Sequence, residues 1–577
     1  MASIKAKLTQ KTFPFNFSEL AGTVLAPNYL EQNLRVGADQ EALEVPQAYF
    51  MQNVLPVQRG FSSVHYARVV GQHTYPAYLD KVFTLRDGAG NVALYAHAGG
   101  QNLIYTAAAG AWVAFPTVSG QVTVAYLKGT TYVAIAGVGL YVYDFMAETF
   151  TLQVLSGISF TNVDGVAAAN QYLLLWTPDT LAWSDPADPL DFSTSLAGST
   201  GILANNGLLV QCLPVNEGLI AYTTRNAIAC LYTGNSTVPF AFREIPESAG
   251  IADSEHVAYD STSKAHIAWT TSGFMQISIR DATLIWPELS DALGSGIYGV
   301  CAASGSARYP TLETVDSLAV KVSSVGSRYI VVSVKDAAAG VIEYPLAYVY
   351  DAALDRWGRL DIPHVDFFEY RAPEFMADLS YGGLSATAYT SLMATSYSQL
   401  QQAVGGKVPQ FGATFGCVQK LGAVYIGLSA SSAQLDSMET AQAISGAAEP
   451  LLLLGRYRLQ RPSAVTFQGL QLSTLGAEGT AVSVVAHDAA GSVIGELTPV
   501  ALGRGSGGYV GRLTGAHISL RLTGRVVLTS LEFTLSDAGS NLLPIGTAEA
   551  AGEDPIPADV VVVDGVYVTV DDEYVVS

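Results

Sequence analysis

The sequence predicts an all-β protein: an irregular six- or seven-bladed β-propeller with an additional β-sandwich or platform domain. The first observation behind this is composition. The 577 residues are 49% hydrophobic but only 14% charged, with 30 tyrosines, and 55 glycines punctuate short apolar runs. That mixture belongs to strands and turns. The second is a repeat. Leu103-Ile104-Tyr105-Thr106 with Trp112, Tyr141-Val142-Tyr143-Asp144 with Phe150, and Tyr348-Val349-Tyr350-Asp351 with Trp357 share one pattern. An apolar strand ends in Tyr and a polar residue, and an aromatic follows six positions after that polar residue. The third is spacing. Tyr105 and Tyr143 lie 38 residues apart, one propeller blade, and Tyr350 lies 207 residues further on, room for about five more. A pair of β-sandwiches is the competing architecture.

Residues 1–60 read as an N-terminal arm and platform segment. Phe13-Pro14-Phe15-Asn16-Phe17 is too aromatic and Pro-broken for a helix, and suits an extended segment docking its rings elsewhere. Residues 61–370 form the propeller, with strand pairs broken at Lys128-Gly129, Pro178-Asp179, Arg225-Asn226 and Ser272-Gly273. Residues 371–455 are a mixed connecting or tip region, with a short helix expected over 431–445. Alternation returns over 456–544, as in a β-sandwich. Residues 545–577 form an acidic tail with eight acids and no base. Within it Val560 to Val563, Asp564-Gly565 and Val566 to Val570 spell a hairpin, because Asp-Gly supplies the positive φ angles of a two-residue turn. So short a hairpin is marginal alone, so it is expected to pair with another sheet edge, on a neighbouring subunit for instance.

Charge and cysteine usage narrow the function. A formal net charge of −21 repels nucleic acid at long range and argues against conventional DNA binding. Cys212, Cys230, Cys301 and Cys417 lie far apart, which suggests neither a disulfide framework nor a structural zinc site. No secretory signal is read at the N-terminus, and no apolar run is long enough for a membrane span.

Motifs that carry chemistry are scarce. The eight histidines are scattered without ligand spacing, and no Walker, nucleophile-elbow or dinucleotide pattern occurs. The glycine-rich stretch 503–508 lacks the Lys-Ser/Thr of a phosphate cradle and reads as a hairpin tip. Asp185, Asp188 and Asp191 place three carboxylates in seven residues, a conceivable calcium loop. Two prolines and the missing EF-hand glycine and glutamate favour a blade-connecting loop instead. No catalytic residue, cofactor or metal ligand is assigned. Residues 456–525 hold seven arginines, no lysine and three acids. Arg456, Arg458, Arg461, Arg512, Arg521 and Arg525, with Arg504, are candidates for docking an acidic partner or DNA phosphates, or for a solvated face with satisfied ion pairs.

Several stretches, in order and spacing, resemble the tail nozzle proteins (tail tubular proteins of the B type) of short-tailed bacteriophages. Residues 47–63 carry Asn53-x-x-Pro56-x-x-x-Gly60-x-x-Ser63. Residues 181–192 contain Trp183-Ser184-Asp185 and Asp188-Pro189-Leu190-Asp191-Phe192, and 217–226 end in Arg225-Asn226. Residues 239–245, Gly250-Ile251, Ala268-Trp269-Thr270-Thr271-Ser272-Gly273 and Pro287-Glu288-Leu289-Ser290-Asp291 continue the series. Residues 512–539 are similar to the family's C-terminal strands, but Ser540-Asn541 replaces the usual arginines, and 371–455 and 545–577 have no counterpart. The resemblance implies a virion protein made in the host cytoplasm. It implies a ring, a homo-hexamer, beneath a dodecameric tail adaptor protein, with tail fibres as further neighbours. Double-stranded DNA would pass through the lumen without tight binding, for genome retention and ejection. The alternative is a peripheral receptor-binding or glycan-degrading propeller, although the sialidase-type aspartate box is missing.

Overall fold

A computed structural model describes residues 2–9 and 32–34, then, with short gaps, 43–370 and 414–537, and two strands within 560–569. The protein is an all-β propeller joined to a β-sandwich. Five four-stranded antiparallel sheets follow one another along the chain, spanning 79–115, 122–152, 165–201, 209–244 and 257–284. The helix Pro287–Gly294 and the hairpin of Ile297–Cys301 with Pro310–Thr314 then intervene. The sixth blade is Leu318–Val325, Tyr329–Asp336, Leu346–Asp351 and Arg356–Leu360.

The seventh blade closes the ring with borrowed material. Asp366–Tyr370, Thr414–Val418 and Ala423–Ser429 pair in order, and the fourth strand is Tyr66–Gln72, from ahead of the first blade. The boundary expected at residue 370 therefore falls inside a blade. Of the helix expected over 431–445, residues 431–440 lie outside the described residues. Its described end, Ala441–Ala443, is instead a strand pairing with Tyr66–Gln72, because the blade offers a ladder that outweighs a short helix's weak propensity.

Within the propeller, among the described residues, the apolar core lies between blades. Seven clusters of buried side chains occupy the seven interfaces. Leu85, Tyr95 and Ile104 of the first blade meet Val133, Ile135 and Tyr143 of the second, and Val82 and Leu103 meet Phe368 and Val418 of the seventh. A single blade buries neither of its faces alone, so the ring folds as one body.

The aromatic repeat now has a geometric meaning. Each copy is the third-to-fourth-strand hairpin of a blade, and its two rings face each other across the ladder. Tyr105 opposes Trp112 at 5.6 Å, Tyr143 opposes Phe150 at 4.7 Å and Tyr350 opposes Trp357 at 5.1 Å between ring centroids. Asp144 Oδ1 accepts from the N–H groups of Met146 and Ala147, and Asp351 Oδ1 from those of Ala353 and Leu354. Both loops then turn through a residue at φ 52°, Glu148 and Asp355. The Asp side chain thus builds the turn, and the aromatic pair locks the register. A related loop escaped the sequence pattern: Tyr259-Asp260 begins the same kind of turn in the fifth blade, between its first and second strands, and the opposing ring is His266 at 5.6 Å.

The sandwich draws on both ends of the chain. In one sheet, Val465–Thr474 lies between Gly505–Gly515 and Val527–Asp537, and Ala2–Thr9 and Leu43–Pro46 extend it. In the other, Leu451–Leu459, His517–Thr523 and Thr480–His487 run side by side, with Val493–Glu496 at the edge. Ala48–Gln52 and Gln32–Leu34 both pair with Leu451–Leu459. The N-terminal arm is thus woven into the platform, although Phe13 to Phe17 lie outside the described residues.

Tight packing inside a blade offers a first test. Gly165 faces Trp176 across the third blade's first ladder, and a Cβ there would sit 2.1 Å from the indole. Gly165→Ala is expected to cost about 1–3 kcal/mol, through overpacking, as read from the urea midpoint.

Candidate functional site

Among the described residues, buried polar side chains gather at the propeller axis and at the junction with the sandwich. At the axis, residues near the starts of several inner strands converge. Lys321 of the sixth blade extends its ammonium to Asp366 Oδ1 of the seventh at 2.8 Å and to Glu255 Oε1, ahead of the fifth blade, at 3.1 Å. Lys81 of the first blade approaches the same Glu255 oxygen at 3.7 Å. The backbone N–H of Val82 donates to Asp366 Oδ2 at 3.4 Å, and Gln121 donates to Ser254 Oγ, bringing in the second blade. Lys321 and Asp366 are buried, whereas Lys81 and Glu255 are about a third exposed at 27% and 31%.

Burial works against the charge on Lys321, but Asp366 and Glu255 outweigh it and hold the ammonium protonated. Desolvation likewise pushes Glu255 up, and Lys321 and Lys81 bring it down to about 2. These four charges balance and occupy one another. Their chemistry is that of an axle joining blades, with cation and anion counts matched.

At the junction, Asn53 adopts φ 50°, a conformation asparagine tolerates better than most residues. Its amide donates to Ala448 O at 2.5 Å and to Asp361 O at 3.3 Å, and its Oδ1 accepts from Asp361 N–H at 2.6 Å. Gln52 adds a bond to Glu449 O at 2.7 Å. Gly358 lies flush against this segment, since a Cβ there would meet Pro56 Cδ and Val54 O at 2.8 Å. Fully buried Arg359 pairs with Asp361 and lies 4.9 Å from the Phe50 ring centroid. Gly60–Ser63 then pairs with both Val54–Val57 and the sandwich strand Val527–Asp537. The Asn53, Pro56, Gly60, Ser63 pattern thus forms the seam between propeller and platform.

Other segments singled out in the sequence also meet one another. Asn226 donates to Glu244 Oε1 at 2.8 Å, joining 217–226 to 239–245. Gly273, at φ 107°, lies against Ser290, whose Oγ accepts from Phe274 N–H at 2.9 Å. Asp191 accepts from Ser156 Oγ at 2.7 Å, tying the third blade's loop to the second blade.

The three aspartates of that loop are spent on the loop itself. Asp185 accepts from Ala187 N–H and Thr194 Oγ, Asp188 from Leu190 N–H, and Asp191 also from Ser193. Hydrogen bonding to the Thr194 hydroxyl and the Ala187 amide lowers the pKa of Asp185, and bonds from Ser193 lower that of Asp191. Among the described residues no group of three or more His, Cys, Asp or Glu is arranged to hold a metal ion.

The arginines divide. Arg512 is exposed on Gly505–Gly515, whereas Arg521 is buried with its Nη1 3.3 Å from Glu496 Oε1 and so is not part of an open docking face. Arg456 and Arg458 lie on Leu451–Leu459, and Arg461, Arg504 and Arg525 lie outside the described residues. Sequence reasoning passed over the axial residues, although a lysine inside the apolar strand Leu318–Val325 was a visible signal.

No family model and no curated protein matches the chain. Among solved structures, U3-55K is similar over 63% of this chain and 98% of its own, at 8% identity and a TM-score of 0.34. The extracellular domain of a hybrid two component system from B. thetaiotaomicron covers 88% of this chain and 66% of its own, at 10% identity and a TM-score of 0.38. The Cps50 (Swd1) β-propeller domain of Myceliophteria thermophila covers 52% and 92%, at 11% identity and a TM-score of 0.29. None of these values bears on function. Among the described residues no helix is long and apolar enough to cross a membrane.

Two expectations follow from the buried groups. Lys321→Met strands Asp366 without its cation and is expected to cost about 3–5 kcal/mol, whereas Lys321→Met with Asp366→Leu costs less than the sum of the single changes. A double-mutant cycle by urea unfolding reads the difference. The second concerns pH. His266 accepts from Tyr222 OH and donates to Pro214 O, and His364 donates to Ile362 O and accepts from Ser333 Oγ, so both are neutral. Burial lowers their pKa values to about 4 and about 3. Below the unfolded value of about 6.5 the unfolded chain binds these protons and the folded chain does not. Stability is therefore full above that pH and falls towards pH 4, by about 1.4 kcal/mol per unit for each histidine. Unfolding midpoints at pH 7 and 5 check this, and His266→Gln is expected to flatten the slope.

Proposed function

We propose that the protein is a structural, non-enzymatic virion component. In this reading it forms the distal tail tube, or nozzle, of a short-tailed bacteriophage as a ring of copies below the tail adaptor. The observation that carries the reading is the fit between resemblance and packing. Stretches similar to nozzle proteins, scattered over 47–291, lie at packing seams: Asn226 meets Glu244 and Gly273 meets Ser290 within them, and Asn53 bonds outside them to Asp361 and Ala448. Residues shared for such reasons specify an architecture and carry no catalytic step.

Charge supports the same reading. Copies at −21 each would line a conduit whose field repels duplex phosphates, so DNA is held by confinement and released without strong Lys/Arg contacts to break. The neutral axial cluster leaves this excess unaltered.

Gold-antibody labelling of intact particles tests the proposal. Label on the central axis of a short tail is the expected result. Label on peripheral fibres would favour a receptor-binding or glycan-degrading propeller, and absence from any particle would remove the virion assignment. Isolated protein is also expected to bind duplex DNA more weakly than micromolar at about 150 mM salt.

A further inference from the structure

We infer that Asn206 is a self-modification site, whose side-chain amide becomes a carboxylate through attack by the Gly207 backbone nitrogen. The product loosens the contact between the third and fourth blades. Asn206-Gly207 is the single Asn-Gly pair in the 577 residues. Such a pair is the most open to this reaction, because glycine carries no Cβ to shield the attacking nitrogen.

The fold adds to that local chemistry. Asn206 and Gly207 lie on the connection from Gly198–Gly201 of the third blade to Leu209–Val215 of the fourth, and both are half-buried, within reach of water. Gly207 adopts φ 85°, and a Cβ there would stand 2.3 Å from Thr224 Oγ1. Buried Asn226 donates from Nδ2 to Asn206 Oδ1 at 3.3 Å. That oxygen takes up negative charge when the Gly207 nitrogen adds to Asn206 Cγ, so a donor already stands where the charge develops. On either side the backbone is held. The carbonyl of Asn206 accepts from Thr223 Oγ1, and the N–H of Leu208 donates to Thr224 Oγ1 at 3.2 Å.

The step balances with water as the sole co-reactant. The Gly207 nitrogen gives up its proton and bonds to Asn206 Cγ. The side-chain nitrogen leaves with that proton as ammonia, and a cyclic imide remains. Water then opens the imide at either carbonyl, giving aspartate, or isoaspartate with the main chain rerouted through the side-chain carbon.

Asn226 also sets the consequence. Its Nδ2 donates to Glu244 Oε1 at 2.8 Å as well. A carboxylate at 206 would share that one nitrogen with a second carboxylate, their oxygens within about 6 Å of each other. Isoaspartate would in addition lengthen the backbone between the Thr223 and Thr224 bonds and draw them out of register.

Peptide mapping by mass spectrometry tests this on the full chain, incubated in mildly alkaline buffer either folded or in urea. In folded protein, conversion at Asn206 is expected to run at least about tenfold faster than at Asn226 or Asn235. It is also expected to be no slower than in urea. A folded rate about tenfold or more below the urea rate would overturn the inference, because the fold would then protect the pair. Asn226→Ala should slow conversion about three- to tenfold in folded protein and leave the urea rate unchanged. An unaltered or faster folded rate would remove Asn226 from the reaction. The consequence is read separately, from urea midpoints. Asn206→Asp should unfold at lower urea than Asn206→Ser, and adding Glu244→Gln should recover most of that difference. Equal midpoints for the two 206 variants would overturn the loosening. None of these readouts depends on the nozzle reading, so either can fail without the other.

Discussion

The ring depends on one buried ion pair. Lys321 and Asp366 meet at 2.8 Å where the sixth and seventh blades face the axis, and Glu255 and Lys81 extend the contact to the fifth and first. Apolar packing between blades is non-directional and accepts any well-filled geometry. A desolvated charge accepts only the geometry that neutralises it. The interblade clusters therefore supply most of the cohesion, and the axial charges select the closure that brings the last blade against the first. The neutral histidines inside the ring follow the same logic, since each is satisfied in a single protonation state.

Propeller and sandwich are joined by the backbone as much as by side chains. The sheet of the sixth blade continues through Val54–Val57 and Gly60–Ser63 into the sandwich. Asn53 turns the chain at the point where the two bodies meet and satisfies backbone groups on both sides. A buried amide with three bonds transmits force better than a solvated linker, because moving either body exposes unsatisfied polar groups. The platform is therefore continuous with the sixth blade through one ladder of strands.

Much of this was legible in the chain. Turn chemistry marked the blade hairpins because Asp144 and Asp351 build their loops with their own side chains, a local effect that needs no tertiary context. The Tyr259-Asp260 loop was hidden because its partner ring is His266, counted as a histidine and not as an aromatic. The seventh blade was unreadable for a different reason. Its strands come from 66–72 and 366–429, and pairing across such a separation leaves no periodic trace. The axial site was missed because its four charges lie far apart in sequence and each looks ordinary alone. Arg521 read as a docking arginine because composition records charge and is blind to the Glu496 that neutralises it.

The borrowed strand Tyr66–Gln72 has a consequence for synthesis. It leaves the ribosome before any blade exists, but its partner Ala423–Ser429 follows some 350 residues later. At about 5–20 residues per second that interval is roughly 20 to 70 s. The strands Ala2–Thr9 and Ala48–Gln52 wait longer still, for Val527–Asp537 and Leu451–Leu459. The earliest part of the chain is thus the last to find its place, and nascent chains carry an orphan β-prone segment for most of translation. Such segments invite wrong partners, above all identical ones on neighbouring nascent chains. The folding of this protein therefore includes an interval in which Tyr66–Gln72 must be kept from wrong partners until Ala423–Ser429 has been made.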